Sequence, residues 1–202
     1  MIKAVIFDYG GVIKEGRPLS KDIGKISGLS EEELKKTKEE RHKIGSKASK
    51  GFITDEQFWQ EFARLTGKKM PDNCVEQAKK IYRETFVFFA EVIGLIKELK
   101  AQGLKTAVLS NIFKFEADVI RENKGYDGFD EVILSYEVGS EKPEAEIYAL
   151  TVNKLNLRPE ECLFIDDKQE NLVPAEKLGM KTILFKNPKQ AVKDVLSIVS
   201  KN

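Results

Sequence analysis

Four short polar motifs in this sequence each follow or end a run of apolar, β-type residues. In chain order they contain Asp8, the pair Ser110 and Asn111, Lys142, and the acidic pair Asp166 and Asp167. The carboxyl ends of parallel strands meet at one edge of a sheet, where ligands bind in open α/β folds. We therefore expect carboxylates, a hydroxyl, an amide and an ammonium group to converge on one crevice.

This set of groups has the chemistry of an anion site beside a metal. Three carboxylates close together repel one another unless a cation or a proton intervenes. Oxygen ligands with open positions suit Mg²⁺, which keeps waters and binds phosphate oxygens. Lys142 would add a second cation, and Ser110 and Asn111 would offer donors to phosphate oxygens. Gly10 and Gly11 would let backbone N–H groups approach an anion closely, which a Cβ would hinder.

Five β-type runs are expected to position these motifs. They are residues 3–7, 105–110, 131–137, 162–166 and 181–185. Most lack strict polar alternation, as expected for strands that are covered on both faces. Helical patterns lie between the runs, which predicts an α/β fold with a Rossmann-like parallel sheet sandwiched by helices.

The segment from about residue 15 to residue 85 breaks this alternation, since it contains no convincing strand. Two capping-box spacings, Ser30 with Glu33 and Thr54 with Gln57, contribute to a prediction of roughly four helices. An insert just after the first strand would cover the carboxyl edge of the sheet. The predicted domains are a core of residues 1–14 and 86–202 and an α-helical cap of residues 15–85.

Composition and charge exclude several classes of function. Lys plus Arg is 34 and Asp plus Glu is 33, so a net charge of +1 favours neither nucleic acid nor an anionic membrane. No apolar run approaches the length of a membrane span, and the first residues do not resemble a signal peptide. Cys74 and Cys162 are predicted to be free thiols in a reducing, cytoplasmic setting. A single histidine, His42, excludes a multi-histidine metal site.

The motifs "FDYGGVI", "VLSN", "EKPEAEIY" and "FIDD" followed by Asn171 resemble, in this order, the four motifs of the haloacid dehalogenase (HAD) superfamily. The helical insert resembles that superfamily's small α-helical cap, and "FDYGGVI" resembles the opening of a phosphatase-like branch. Each motif alone has an ordinary explanation, such as a helix cap, a turn or a solvated lysine. The ordered set, spanning residues 7–171, is far more specific.

The resemblance implies a nucleophile and a metal site. Asp8 would attack phosphorus and form an aspartyl-phosphate, while its carboxylate and the Gly10 carbonyl would also bind Mg²⁺. Of the acidic pair, Asp167 would bind the metal directly, and Asp166 would bind through water or orient its neighbours.

The resemblance also implies how a small-molecule phosphate substrate would be held. Ser110 and Asn111 would bind the phosphoryl oxygens, together with Gly10 and Gly11. Lys142 would pair with the nucleophile and the phosphoryl group. Asn171 would support the acidic pair from behind. The protein is expected to be a monomer or a homodimer.

One residue departs from the family pattern. Most HAD phosphatases carry an aspartate two residues after the nucleophile, as general acid and base, and this chain has Gly10 there. Losing such a group typically costs roughly 10²–10⁴ in rate. The leaving group could need little protonation, as for an anomeric sugar hydroxyl or an acyl group, or another residue or a water could substitute.

Two further interpretations remain open. The reaction could instead be 2-haloacid dehalogenation, which we rank lower because that chemistry needs no metal and gives three acidic groups no role. A phospho-ligand-binding pseudoenzyme would also account for Gly10. Substrate specificity is expected to lie between Arg17 and Phe62. There the basic run of residues 35–43 is either a solvated helix face or places Arg41 or His42 against the leaving group.

Overall fold

A parallel sheet of five strands organises the structure, a computed structural model that describes residues 1–16 and 19–200. Its strands are β1 (Ala4–Phe7), β2 (Lys105–Ser110), β3 (Glu131–Leu134), β4 (Cys162–Asp166) and β5 (Lys181–Leu184). Within the described residues the strands lie in the order β3-β2-β1-β4-β5. The predicted α/β fold is therefore confirmed. Arg17, the first residue of the predicted specificity segment, lies outside the described residues.

Helices fill the long connection between β1 and the rest of the sheet. The part of it that the structure describes contains α1 (Leu19–Ser27), α2 (Glu31–Lys36), α3 (Lys38–Ser49), α4 (Asp55–Thr66) and α5 (Cys74–Glu84). These are five helices, whereas the sequence predicted roughly four, because Thr37 alone separates α2 from α3. Both predicted capping boxes form, at Ser30 and at Thr54. We call residues 15–85 the helical insert.

The remaining helices cover the two faces of the sheet. They are α6 (Ala90–Ala101), α7 (Lys114–Glu122), α8 (Ser135–Val138), α9 (Ala145–Leu155), α10 (Gln169–Leu178) and α11 (Pro188–Val199). Helices α6, α7 and α11 pack on the face that carries Val5 and Phe7, and α9 and α10 pack on the face that carries Ala4 and Ile6. All four residues of β1 are 0% exposed, which explains why the strand lacks polar alternation.

The third strand is shorter than predicted. The sequence indicated a β-type run over residues 131–137, but β3 ends at Leu134 and Ser135 begins a short helix. The physical reason is the neighbouring strand, since the last pair of the ladder joins Ser110 to Leu134 and β2 ends there. The buried Ser135 hydroxyl then accepts a hydrogen bond from the Ile112 N–H at 2.9 Å.

The register of β1 and β4 brings the acidic motifs together. Phe7 lies opposite Ile165, and the N–H of Asp8 donates to the Ile165 carbonyl at 2.9 Å. Asp8 and Asp166 are therefore neighbours at the carboxyl edge of the sheet. The order of the strands also reverses at β1, and ligands of open α/β sheets bind in the crevice outside such a switch point.

Both cysteines agree with the prediction of free thiols, because Cys74 and Cys162 are buried and unbridged. Among the described residues, no helix combines the length and the apolar character that a membrane crossing requires.

The helical insert is tied to the core by buried and half-buried polar contacts. The carboxylate of Asp55, the first residue of α4, accepts a hydrogen bond at 2.8 Å from the N–H of Phe115 in the first turn of α7. The Lys50 ammonium group lies 2.8 Å from the Glu144 carboxylate just before α9. Because a helix leaves its first N–H groups without internal partners, Asp55 satisfies one of them across the boundary.

We expect Asp55→Ala to lower the free energy of unfolding by about 1–3 kcal/mol, because it leaves the buried Phe115 N–H without an acceptor. Asp55→Asn keeps an acceptor oxygen and should cost less. Urea unfolding of the two variants and the parent protein measures both effects. An alanine variant as stable as the parent would show that this contact does not anchor the insert.

The same pair of variants has an expected pH dependence. Burial raises the pKa of Asp55 from its ordinary value of 3.8 to about 6, although the Phe115 N–H opposes the rise. An acid whose pKa is higher in the folded state favours folding most below its unfolded pKa. The contribution of Asp55 should therefore decline as the pH rises from about 4 to about 6. The asparagine variant should lack this decline. Its free energy of unfolding, relative to that of the parent protein, should therefore be higher at pH 8 than at pH 4.

Candidate active site

A buried ammonium group lies at the centre of the convergent motifs. The Nζ atom of Lys142 is 2.8 Å from Oδ1 of Asp8 and 2.7 Å from Oδ2 of Asp166. It also donates a hydrogen bond to the Leu109 carbonyl at 2.9 Å. Through these contacts Lys142 joins the ends of β1, β2 and β4. The residue is only 4% exposed, so its contacts are shielded from bulk water. The predicted pairing of Lys142 with Asp8 is present.

The charges in this cluster shift one another's protonation. Burial by itself would lower the pKa of Lys142, but the carboxylates of Asp8 and Asp166 raise it above its ordinary value. Burial raises the pKa of Asp8, the Lys142 ammonium group opposes that rise, and the charge of Asp166 adds to it. Lys142 is therefore a stable cation, and its charge does not outweigh the effect of burial on Asp8.

Asp166 is held by donors on several sides. The Asn171 side-chain amide lies 3.0 Å from each of its two carboxylate oxygens, and the Lys168 N–H donates to Oδ1 at 2.9 Å. With Lys142 on Oδ2, both oxygens of this fully buried residue are engaged. Asn171 thus contacts Asp166, and its role as a support of the acidic pair stays a prediction.

Asp167 differs from its neighbour in exposure and in partners. Its carboxylate faces the crevice and makes no side-chain hydrogen bond to another residue that the structure describes. Partial burial raises the pKa of Asp167, and the charge of Asp166 adds to the rise. Asp167 is therefore the member of the pair whose oxygens are better placed to meet a ligand.

The three carboxylates have the spacing of a metal site. One oxygen from each of Asp8, Asp166 and Asp167 lies within 4.8 Å of the other two. Burial is the largest cause of the raised pKa values of Asp8 and Asp167, and the charge of Asp166 adds to both. Hard oxygen donors of this kind suit Mg²⁺ better than a softer metal ion. The residues present therefore fit a divalent cation.

The two glycines after Asp8 serve different purposes. Gly11 has a φ of +94°, and a Cβ there would lie 2.7 Å from Oδ2 of Asp167. Its N–H donates to the Lys14 carbonyl at 2.7 Å, so the expectation that it binds an anion is wrong in this structure. Gly10 lines the crevice, and a Cβ built on it would meet no protein atom within 4 Å.

The side chain of Asn111, in the "VLSN" motif, binds the main chain of Lys142 in this structure. The Asn111 side-chain amide donates to the Lys142 carbonyl at 2.7 Å, and its oxygen accepts from the Lys142 N–H at 2.8 Å. This pair of bonds fixes the main chain that carries the ammonium group. Ser110 ends β2 at 3% exposure and is not among the residues that line the crevice, although Asn111 is. Phosphate binding by Ser110 and Asn111 stays a prediction.

A crevice of about 780 Å³ separates the carboxyl edge of the sheet from the helical insert. Asp8, Gly10, Lys142 and Asp167 line it on the sheet side. On the insert side, α3 contributes Arg41 and His42 among other residues, and contact of either one with a leaving group stays a prediction.

Sequence reasoning missed several polar residues that line the crevice, among them Lys14, Tyr82 and Glu116. The ammonium group of Lys14 lies 4.6 Å from the centre of the Tyr82 ring and donates to the Glu15 carbonyl. Burial raises the pKa of Glu116 to about 7, while a hydrogen bond from the Phe113 N–H and the charge of Lys14 oppose the rise. A positional signal existed for Lys14, which directly follows the "FDYGGVI" motif, and for Glu116, which closely follows the "SN" motif.

We expect Gly11→Ala and Gly10→Ala to differ in their effect on Mg²⁺ binding. The first places a Cβ against Asp167 and forces a left-handed conformation that costs roughly 1–2 kcal/mol, so it should displace the carboxylate and weaken Mg²⁺ binding. The second meets open space and should leave Mg²⁺ binding nearly unchanged. Isothermal titration of both variants with MgCl₂ makes the comparison. Equal Mg²⁺ affinity in the two variants would contradict the role given to Gly11.

Three similarities to known proteins agree with this geometry. The D-ribitol-5-phosphate phosphatase of Bacteroides thetaiotaomicron is 27% identical over 93% of each chain. The acyl-CoA dehydrogenase family member 10 of mouse is 33% identical over 74% of this chain, which spans 14% of that longer protein. A HAD family enzyme from B. thetaiotaomicron, solved with magnesium and inorganic phosphate, aligns with a TM-score of 0.74 at 26% identity, over 92% of this chain and 95% of the other.

The family model for haloacid dehalogenase-like hydrolases matches residues 2–179. That range includes all four polar motifs and most of the sheet with its helices. By this match, and by the fold and the acidic edge described above, the chain belongs to the haloacid dehalogenase-like hydrolases.

Proposed function

We propose that this hydrolase is a Mg²⁺-dependent phosphatase that acts on a small phosphorylated metabolite through an aspartyl-phosphate at Asp8. The observation that carries the proposal is the contact of Lys142 with Asp8, in a crevice edged by the acidic pair Asp166 and Asp167. The phosphatase among its relatives, and the solved relative with magnesium and phosphate, support it. The buried free thiols are compatible with action in the cytoplasm, as a monomer or a homodimer.

Asp8 would act as the nucleophile. One carboxylate oxygen forms a bond to phosphorus while the bond from phosphorus to the leaving oxygen breaks, and the leaving oxygen takes its electron pair and then a proton. Water next attacks the acyl phosphate, which releases inorganic phosphate and restores the carboxylate. Lys142 fixes the Asp8 carboxylate before attack and offers positive charge to the phosphoryl oxygens.

The metal would be held by Asp8, by Asp167 and by the main-chain carbonyl of Gly10. Asp166, whose oxygens are already engaged, would orient Lys142 and Asn171 rather than bind directly. Bound there, Mg²⁺ would offset the carboxylate charge and draw phosphoryl oxygens toward the nucleophile.

The phosphoryl group would be bound at the carboxyl ends of β1 and β2. We assign the Ser110 hydroxyl and the main chain of Asn111 to its oxygens, since the Asn111 side chain is occupied by Lys142. The open space at Gly10 leaves room for the phosphoryl group, and the residues that line the crevice from the helical insert would act as a cap over the leaving group.

The nature of the leaving group follows from the missing acid at position 10. With no carboxylic acid there, the favoured substrates are those whose leaving oxygen departs with little protonation, such as an anomeric sugar phosphate. Glu116 lines the same crevice, and burial raises its pKa to about 7, so this residue would be the proton donor for weaker leaving groups.

We expect Asp8→Asn to abolish the Mg²⁺-dependent hydrolysis of p-nitrophenyl phosphate, because the amide is a very poor nucleophile. Far-UV circular dichroism should remain unchanged, since an amide fits the same space. Turnover equal to that of the parent protein would disprove the role of Asp8. Halide release from 2-chloropropionate without metal, assayed in parallel, would favour the dehalogenase instead.

We also expect Gly10→Asp to increase the hydrolysis of alkyl phosphates, at most by the roughly 10²–10⁴ that a general acid supplies. The position has room for a side chain, and its φ is not positive. Gly10→Asn, which has the same size without the acid, is the matched control. The ratio of alkyl to aryl phosphate turnover is the readout, and a ratio that is equal in both variants would mean that position 10 does not reach the leaving oxygen.

A further inference from the structure

Helix α3 presents one face to the crevice over its whole length. The crevice-lining residues of this helix recur at intervals of three or four, which is the spacing of a single helical face. They are Lys38, Arg41, His42, Gly45, Ser46 and Ser49. The face therefore forms one wall of the space that a leaving group would occupy.

The carboxyl-terminal part of this wall lies beside the reacting groups. The hydroxyl groups of Ser46 and Ser49 both donate hydrogen bonds to the Glu141 carboxylate. Glu141 directly precedes Lys142, whose ammonium group contacts Asp8. The hydroxyl groups at this end of α3 are thus satisfied by the protein itself, through a residue that is next in the chain to Lys142. We take this end as the nearer one to the proposed position of the phosphoryl group.

Cations on the outer faces of α3 have acidic partners. The Lys43 ammonium group lies 2.7 Å from the Glu40 carboxylate. The Lys47 ammonium group lies 3.3 Å from the Glu61 carboxylate of α4. Neither lysine lines the crevice. Charge on the solvent side of the helix is therefore balanced locally.

The amino-terminal part of the crevice wall is different. In the part of the chain that the structure describes, Lys38, Arg41 and His42 make no ion pair with a carboxylate. Arg41 donates one N–H to the Leu34 carbonyl at 2.8 Å, which steadies the guanidinium group and leaves its positive charge uncompensated. We call Lys38, Arg41 and His42 the basic wall.

Acidic residues of the crevice do not balance the basic wall. Glu141 is bound by the two serines, and Asp8 and Asp167 belong to the candidate metal site. The charges of Lys14, Asp55 and Asp22 act on Glu116. The basic wall lines the crevice without an ion pair to a carboxylate among the residues that the structure describes.

We propose that the basic wall binds a second anionic group, a carboxylate or a phosphate, at the far end of the leaving group. This inference rests on the proposed phosphatase function, since it concerns the substrate of the same site. At a rise of 1.5 Å per residue, Arg41 lies about 8 Å and Lys38 about 12 Å along the helix from Ser46. The second anion should therefore be separated from the reacting phosphate by an extended spacer of comparable length.

Aryl phosphates with a para side chain test this directly, because the phenol leaves readily and its pKa hardly depends on a distant group. One series carries carboxyalkyl chains of increasing length, a second carries phosphonoalkyl chains, and a third carries the neutral carboxamides. In the presence of Mg²⁺, the best anionic ester should have a kcat/KM at least about tenfold above that of its carboxamide. The first two series distinguish carboxylate from phosphate recognition.

The variants Arg41→Gln and Lys38→Gln should each reduce that preference for the anionic ester. Lys38→Gln is the safer of the two for folding, because Lys38 is exposed and bonds to no main-chain carbonyl. Lys43→Gln is the matched control on the same helix, outside the crevice, and should leave the preference unchanged. Equal kcat/KM for acid and carboxamide in the parent protein, or a preference untouched by both crevice variants, would overturn the proposal.

Binding measurements distinguish a failure of the proposed phosphatase function from a failure of the basic wall. If the chain hydrolyses none of the esters, calorimetric titration of the Asp8→Asn variant with the carboxyalkyl and carboxamide esters still measures the subsite. Tighter binding of the acid, lost in Lys38→Gln, would uphold the basic wall without catalysis. Equal binding of the two esters would reject it independently of turnover.

Discussion

The attraction between one buried ammonium group and two carboxylates is the constraint on which the site at the carboxyl edge of the sheet depends. Lys142 reaches Asp8 at the end of β1, Asp166 at the end of β4 and a carbonyl of β2. Burial of any one of these charges alone would be unfavourable, and removing one member of such a set typically costs about 3–5 kcal/mol. The positions of Asp8 and Asp166 at the sheet edge are therefore strongly coupled through Lys142.

Much of the fold could be predicted from local patterns. The five apolar runs correspond to the five strands, and the two capping boxes form, because a pattern of residue types within a short segment indicates each of them. The end of β3 and the separation of α2 from α3 could not be predicted in this way. The first depends on where the neighbouring β2 stops, and the second on one residue, Thr37, within an otherwise continuous helical pattern.

The site shows the same division between local and distant causes. Convergence of Asp8, Lys142 and Asp166 could be predicted because parallel strands end at one edge of a sheet. The hydrogen bonds of Asn111 could not be predicted, since a side-chain amide can bind either an anion or a main chain. The position of the Lys142 main chain determines which of these Asn111 binds. Gly11 is explained by its distance from Asp167, which lies more than 150 residues further along the chain. No pattern in the sequence contains that distance.

The bonds from Ser46 and Ser49 to Glu141 have a mechanical consequence. Residue 141 is covalently next to Lys142, so the wall of the crevice and the ammonium group are carried on adjoining pieces of chain. A movement of α3 away from the sheet would first have to break the hydrogen bonds from Ser46 and Ser49 to the Glu141 carboxylate. A movement of α3 at the crevice and the position of the Lys142 ammonium group beside Asp8 are thereby mechanically coupled through Glu141.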